Sequence, residues 1–546
     1  MAEYSDLSVL IVDPNPGMRG NLHNMLSQSS ITKIEYAVSS GTAIRQLAKK
    51  PFDIILCEYD LGNGSGEANG QDGQQLLEDL RHHKLISPWS IFIMLTSEGE
   101  YGKVIGAAEL TPTDYLLKPF TVDSLLQRIG RAVDRRQQFL PIYQQIDLGN
   151  VRKAITDCLA SQDRNPRYAI DFARLRAELL FSINELGDAE MVYQWILMTR
   201  PVAWAHLGLA RCRYGLAKYA EAQETLQQLL EQNPRYMAAY DLLARTHEAL
   251  GQHEAAKKIL EDAVQISPHM VRRLRHLGEV AFETGDVGVA ERAFKQVVAK
   301  AKYSEFRDPE DHVKLVKTLV KKGDAHQASS VIRDMERSLR SSPNVDVCRA
   351  IASGMVQQMS GNMSAAAAEL MNAINGVAGT RGLSAGLKVG LVHSCLNMKL
   401  DQQASDLMLN LMNDNESGVS MEDAVQVFEK AGRHDLAQGM GEQIKIQVDE
   451  LIAQASRQRS QGELRAAVDT LTAALRRAPG NLPLLSAAAS TMLKQLDDLG
   501  WEAPLGEQCT FLLERIRRLD PAHPSLETLT AQYHHTQRKY GISAVA

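Results

Sequence analysis

A repeat of 34 residues in the middle of the chain restricts the fold more than any other feature of the sequence. Three sets of positions recur at this step: the small residues Ala222, Ala256 and Ala290, the turn residues Ala217, Gly251 and Gly285, and the apolar residues Leu226, Leu260 and Phe294. A fixed period of this length predicts stacked units, because a single unit cannot bury its apolar face alone.

The residue types within each unit predict two antiparallel helices. Glycine after the first helix can adopt the left-handed conformation that ends a helix. A proline such as Pro234 or Pro268 stops the second helix. This pattern resembles the tetratricopeptide repeat. Weaker copies of the repeat follow, with turns at Gly323, Gly361, Gly432 and Gly462. The sequence therefore predicts about eight to nine helix pairs over most of 150–535.

The first part of the chain has a different pattern, in which short apolar runs each end at a polar residue. The runs are Ser8–Val12 before Asp13, Phe52–Cys57 before Glu58, Ile91–Leu95 before Thr96, and Tyr115–Leu117 before Lys118. Such runs are typical of buried strands in a parallel α/β sheet. The carboxyl ends of these strands share one crevice. We therefore expect two acids, a hydroxyl and an ammonium group to meet there.

This order, together with the tripeptide Lys118–Phe120, resembles the receiver domain of bacterial two-component response regulators over roughly residues 7–133. The resemblance implies a flavodoxin-like sheet of five parallel strands. It places Glu58 at the phosphoacceptor position, which is an aspartate in the family, and Tyr115 at the position of a rotating switch aromatic. An ordinary, partly buried strand tyrosine is the alternative for Tyr115.

Two departures from the family predict a receiver that is not phosphorylated. Pro14 replaces one of two adjacent acids that hold magnesium in the family, so Asp13 alone offers a weakened magnesium site and no metal or other cofactor is expected. The longer side chain of Glu58 reaches toward Lys118 and Thr96 without a phosphoryl group. The sequence thus predicts one fixed state. Residual switching and drift in a disused site are the alternatives.

These patterns predict four segments: a receiver-like domain at 1–133, a helical linker at 134–150, a repeat solenoid at 151–535 and a tail at 536–546. The glycine-rich stretch 61–73 follows Glu58. We interpret it as a surface loop rather than a recognition loop.

Charge and cysteine usage restrict the partners and the compartment. A formal net charge of −6 gives no reason to expect nucleic acid or a membrane surface as the main partner. Six widely spaced cysteines, without a signal peptide or a long apolar run, predict a cytoplasmic protein with reduced thiols. The basic group Arg272, Arg273 and Arg275 and the stripe Lys314, Lys317, Lys321 and Lys322 are interpreted as solvated helix faces.

The sequence has no HExxH or GxxxxGK[ST] motif, so we expect a protein without enzymatic activity. The predicted function is a cytoplasmic signalling adaptor or scaffold that binds protein partners through the solenoid. The alternative is a response regulator that a histidine kinase switches by phosphorylation. The oligomeric state, a homodimer included, stays open.

Overall fold

The computed structural model describes residues 5–62, 73–87, 89–97, 113–268, 270–301, 307–340, 342, 344–377, 382–413, 419, 421–478 and 480–541. Most of the predicted loop 61–73 and the end of the predicted tail lie outside these ranges. The chain divides into two compact units, residues 1–322 and residues 323–546.

The first unit begins with a parallel sheet of five strands. These are β1 (Ser8–Val12), β2 (Lys33–Ala37), β3 (Ile54–Glu58), β4 (Ile91–Ser97) and β5 (Asp114–Lys118), in the spatial order β2-β1-β3-β4-β5. Every neighbouring pair is parallel. The predicted flavodoxin-like sheet is therefore confirmed.

Helices cover both faces of this sheet, which explains why its central strands are continuous apolar runs. They are α1 (Pro16–Ser27), α2 (Ser40–Leu47), α3 (Gly73–His82) and α4 (Val122–Asp147). Val9 and Ile11 belong to the core with α1 and α4. Leu10 and Val12 belong to the core with α2 and α3.

Helix α4 extends beyond the predicted receiver-like domain at 1–133, because it continues to Asp147 and through Pro141. The predicted linker 134–150 therefore begins inside this helix. Its second half contacts both the receiver and the repeats. Phe139 stacks on Phe172, with ring centroids 4.2 Å apart, and Tyr143 lies 5.2 Å from the ring of Trp89.

Helical pairs follow in the same unit. Their helices are α5 (Val151–Arg164), α6 (Ala169–Ser182), α7 (Leu186–Thr199), α8 (Ala203–Gly215), α9 (Tyr219–Gln232), α10 (Met237–Ala249), α11 (His253–Ile266), α12 (Val271–Glu283), α13 (Val287–Ala301) and α14 (Pro309–Lys322), with a short 3-10 turn at Pro166–Tyr168.

The second unit, in its described part, is also helical. Its helices are α15 (Ala325–Ser338), α16 (Val345–Met359), α17 (Met363–Val377), α18 (Ala385–Asn397), α19 (Asp401–Asn413), α20 (Met421–Lys430), α21 (His434–Ser460), α22 (Leu464–Arg477), α23 (Leu482–Leu499), α24 (Ala503–Leu519) and α25 (Leu526–Lys539). Helix α21 extends from one repeat turn to the next as a single helix, and its sequence contains no proline.

The repeat register is confirmed by backbone conformation and by burial. Gly251 and Gly285 have φ values of 73° and 84°, the left-handed conformation that ends a helix. Ala256 and Ala290 are completely buried. A Cβ atom on Gly278 would lie 2.7 Å from the Phe294 ring, so a larger residue there would require the ring to move. Close approach of two helices therefore explains the small residues of the repeat.

Candidate functional site

Three of the four polar residues predicted at the strand ends, Asp13, Glu58 and Lys118, do meet at one crevice. Asp13 follows β1, Glu58 ends β3, Thr96 is in β4 and Lys118 ends β5. Asp13, Glu58 and Thr96 are buried, and the Lys118 side chain retains 25% exposure. The parallel sheet brings these residues together because all of its strands end at the same edge.

Lys118 connects the two acids of the crevice. Its Nζ donates a hydrogen bond to Oε2 of Glu58 and lies 3.8 Å from Oδ2 of Asp13. The other carboxylate oxygen of Glu58, Oε1, accepts the backbone N–H of Asp60 at 3.4 Å. The longer side chain of glutamate thus reaches the lysine directly, as its type and position predict.

Burial and charge act on Glu58 in opposite directions. Burial raises the pKa of its carboxyl group above the ordinary value, and the neighbouring charge of Asp13 adds to this effect. The hydrogen bond and positive charge of Lys118 lower it, although they do not cancel the effect of burial. Lys118 is therefore the group that favours the ionised form of Glu58 in this crevice.

The beginning of α1 holds Asp13 in a fixed orientation through contacts that sequence reasoning did not identify. Oδ1 of Asp13 accepts the backbone N–H of Asn15 at 2.7 Å. Arg19 donates from Nη1 to the carbonyl oxygens of Asp13 and Pro14, at 2.6 and 2.9 Å. The only sequence signal for this arrangement was an arginine one turn into the helix that follows β1.

The donor set does not fit the magnesium ion that the resemblance implies. Pro14 has no side-chain oxygen where the family has its second acid. The Lys118 ammonium group lies between the carboxylates of Asp13 and Glu58, where a cation would bind. Across the described ranges, no cluster of three or more His, Cys, Asp or Glu side chains could hold a metal. Magnesium requires several oxygen ligands in near-octahedral geometry, which these residues do not supply.

Tyr115 is half-buried in β5 and packs against the core on the side of α2 and α3. Arg81 in α3 lies near it and near the repeat helix α6. Burial and the charge of Arg174 lower the pKa of Arg81, whereas Glu178 and Tyr115 act in the opposite direction. The residue at the predicted switch position thus shares a neighbour with the repeats.

The basic group in α12 is not a solvated face, so that interpretation was wrong. The Arg273 side chain is fully buried and donates to both carboxylate oxygens of Asp241, at 2.8 and 2.9 Å. Arg275 makes the same two-bond contact with Asp311, at 2.6 and 2.7 Å. Two of the three arginines are therefore fixed by acids on neighbouring repeats, and Arg272 alone is exposed.

The chain resembles known proteins in two separate regions. Residues 9–130 match the response regulator receiver domain and residues 207–271 match the tetratricopeptide repeat. The chemotaxis protein CheY-3 of Vibrio cholerae is 25% identical over 130 residues, which are 24% of this chain and 94% of that protein. CheY of Pseudomonas aeruginosa is 26% identical over 129 residues, which are 24% of this chain and 98% of that protein.

Solved structures of both kinds are similar to parts of this chain. A response regulator receiver domain protein from Clostridium thermocellum is 20% identical, with a TM-score of 0.21, and covers 24% of this chain and 97% of its own. A thermophilic tetratricopeptide-repeat protein of Thermus thermophilus is 22% identical, with a TM-score of 0.24, and covers 32% of this chain and 94% of its own. The family matches over residues 9–130 and 207–271 identify a chain that combines a response regulator receiver domain with tetratricopeptide repeats.

Proposed function

We propose that this protein is a signalling adaptor whose receiver is held in one state and whose repeats bind a protein partner. The observation that carries the proposal is the hydrogen bond from Lys118 to Glu58. In a receiver that is phosphorylated, this lysine would be free to bind the phosphoryl group. Here a carboxylate that belongs to the chain takes that place.

The arrangement of charges in the crevice supports a fixed state. Phosphoryl transfer needs a cation that neutralises the developing negative charge on the transferred group. In this crevice the positive charge is that of Lys118, which is already bound to Glu58. Glu58 is also a poor acceptor, because one oxygen of its buried carboxylate binds Lys118 and the other accepts the backbone N–H of Asp60. The receiver would then act as a constant binding or folding element.

The repeats support the binding part of the proposal. Receiver domains and tetratricopeptide repeats serve in signalling and protein interaction, and a stack of helix pairs offers an extended inner surface for a partner. Binding of this kind needs no catalytic group. The six cysteines are all buried and free, which supports a reducing compartment such as the cytoplasm. Among the described helices, none is long and apolar enough to cross a bilayer.

A second candidate is a receiver that a histidine kinase switches. It is favoured by the presence of Asp13, Thr96, Lys118 and Tyr115 at their expected positions. In that case Glu58 would be the phosphoacceptor. A magnesium ion would have to displace Lys118 from its carboxylate. Both candidates predict a signalling role, and they differ in whether a phosphodonor changes the protein.

The test is to incubate the full chain with magnesium and acetyl phosphate, and separately with beryllofluoride, and to measure intact mass and receiver NMR spectra. The proposal predicts no added phosphoryl mass and no chemical-shift change at Thr96 or Lys118. A functional receiver with an aspartate acceptor, treated in parallel, controls for the reagents. Stoichiometric labelling at residue 58 would refute the fixed state and favour the kinase-dependent switch.

A further inference from the structure

A cavity of about 430 Å³ lies between α10 and α12, the first helices of two successive repeats. It is lined mainly by charged side chains: Asp241, Arg245, Met270, Arg272, Arg273, Arg275, His276 and Glu279. A volume of this size accommodates a few side chains of a ligand. The cavity therefore qualifies as a binding site for a short polar segment.

Most charges in the cavity are neutralised within the protein. Asp241 accepts from Arg273, and Arg275 donates to Asp311. Glu279 accepts from Lys314 at 2.5 Å, and His276 is hydrogen-bonded to Glu248 at 2.7 Å. Each acid that lines the cavity is thus already bound by a basic group. A cationic ligand would find no free carboxylate there.

Two arginines that line the cavity differ from these paired groups. Arg245 on α10 and Arg272 on α12 are both exposed, and neither forms a hydrogen bond or an ion pair with any residue that the structure describes. They are close enough to Asp241 for their charges to act on it, although Arg273 already holds both of its oxygens. The cavity therefore presents two uncompensated positive charges on fixed helices.

The neighbouring lysine stripe on α14 does not compete as a binding site. Lys314 and Lys322 are paired with Glu279 and Glu291. Lys317 and Lys321 lie over the ring of Phe282, at 4.8 and 4.3 Å from its centroid. The charges of the stripe are thus engaged within the protein, unlike those of Arg245 and Arg272.

The end of α3 in the receiver lies within electrostatic reach of this cavity. Burial lowers the pKa of His82 and of His83, and the positive charge of Arg272 lowers both further. An anion bound to Arg272 would offset that charge and raise both pKa values. The two histidines therefore provide an independent measure of what binds in the cavity.

We propose that this cavity binds an acidic segment of a protein partner, with carboxylates of the segment on Arg245 and Arg272. Arginine forms paired hydrogen bonds with a carboxylate, and rigid placement on two helices favours a segment whose acids have a matching spacing. The inference rests on the proposed adaptor function, since it assumes that the repeats bind a protein. It adds the chemistry of the bound segment and the residues that select it.

The experiment measures binding of a fluorescein-labelled octaglutamate peptide to the full chain by fluorescence anisotropy at low salt. We expect saturable binding that weakens as salt is added, and no binding of the matching octaglutamine peptide. Arg272→Gln and Arg245→Gln should each weaken binding about tenfold or more, and Arg272→Lys should restore part of it. The matched control is Arg292→Gln, because Arg292 is an exposed arginine on α13 outside the cavity. Circular dichroism establishes that each variant is folded.

NMR titration of His82 and His83 provides the second measurement. Their pKa values should rise when the octaglutamate peptide is bound to the parent and should not rise in the Arg272→Gln variant. Three results would overturn the inference: equal affinity for the parent and both arginine variants, equal affinity for free glutamate and the peptide, or tighter binding of single-stranded DNA than of the peptide.

If a physiological partner binds the repeats equally well in the arginine variants, the adaptor function stands and this cavity is not the site. If no partner binds the repeats, the adaptor function itself fails.

Discussion

The ring of Phe139 in α4 stacks on the ring of Phe172 in α6, at an interplanar angle of 21°. Both side chains are almost completely buried. The ion pair between Arg135 and Asp171, at 2.8 Å, lies on the same two helices. The last helix of the receiver is therefore also part of the core of the first repeats.

Truncating one ring of this stack should destabilise the first unit. Phe172→Ala removes a fully buried side chain, and such changes cost about 3–5 kcal/mol of the free energy of unfolding. Denaturant unfolding of the full chain measures the loss, and limited proteolysis should show new cleavage in the second half of α4. Met198→Ala is the control, because Met198 is 80% exposed on α7. Equal unfolding midpoints for Phe172→Ala and the parent would contradict the role of this stack.

Replacing the crevice lysine should destabilise the receiver. Lys118→Met leaves the buried carboxylate of Glu58 without its cation, at a cost of about 1–3 kcal/mol. Thermal unfolding measures this loss. Lys33→Met is the control, since Lys33 forms an exposed pair with Asp6. A variant that melts with the parent would show that the contact contributes nothing to stability.

The same variant should have a distinct pH dependence. Burial raises the pKa of Glu58 and Lys118 lowers it, so Lys118→Met should raise this pKa further. A carboxyl group with a raised pKa binds its proton more tightly in the folded state, and folding then gains stability as the pH falls toward 4.5, the ordinary value for glutamate. The destabilisation should therefore be largest at neutral pH and smaller in acid. NMR titration of the Glu58 carboxyl carbon checks the pKa; a lower value in the variant would contradict the argument.

Restoring phosphorylation should need two changes. Glu58→Asp shortens the side chain and frees Lys118, but Pro14 still supplies no acid for magnesium. We expect little labelling by acetyl phosphate in Glu58→Asp and clear labelling in Glu58→Asp with Pro14→Asp. Intact mass spectrometry measures both. Full labelling of the single variant would show that Asp13 alone holds enough magnesium, and that the residue at position 58 is the only defect.

Enlarging a small residue of the repeat should disturb the helix contact. Ala256 is completely buried, and Ala256→Leu should cost about 1–3 kcal/mol by overpacking. Denaturant unfolding is the measurement, and Lys258→Leu on the exposed side of α11 is the control, expected to change stability by less than about 0.5 kcal/mol. Gln252 is a poorer control, although it is exposed, because its side chain is hydrogen-bonded to His247 at 2.7 Å. If both leucine variants unfold with the parent, the repeat register is wrong.

The sequence alone determined where the crevice residues and the repeat turns would lie. Asp13, Glu58, Thr96 and Lys118 were identified because parallel strands end at one edge, so their position follows from local apolar runs. The turns at Gly251 and Gly285 were identified because the helix pair repeats at a fixed step. Both signals are patterns in the linear sequence. They can be recognised without any knowledge of tertiary contacts.

Only the tertiary structure decided which charges are partnered. Arg272 and Arg273 are adjacent in sequence, yet one is exposed and the other is fully buried on Asp241, a residue of the preceding repeat. The proximity of Arg81 to Tyr115 and to α6 depends likewise on how the receiver packs against the repeats. Such contacts join residues that are far apart along the chain. Their free energy depends on burial and on the distance between charges, and neither quantity exists until the helices have packed.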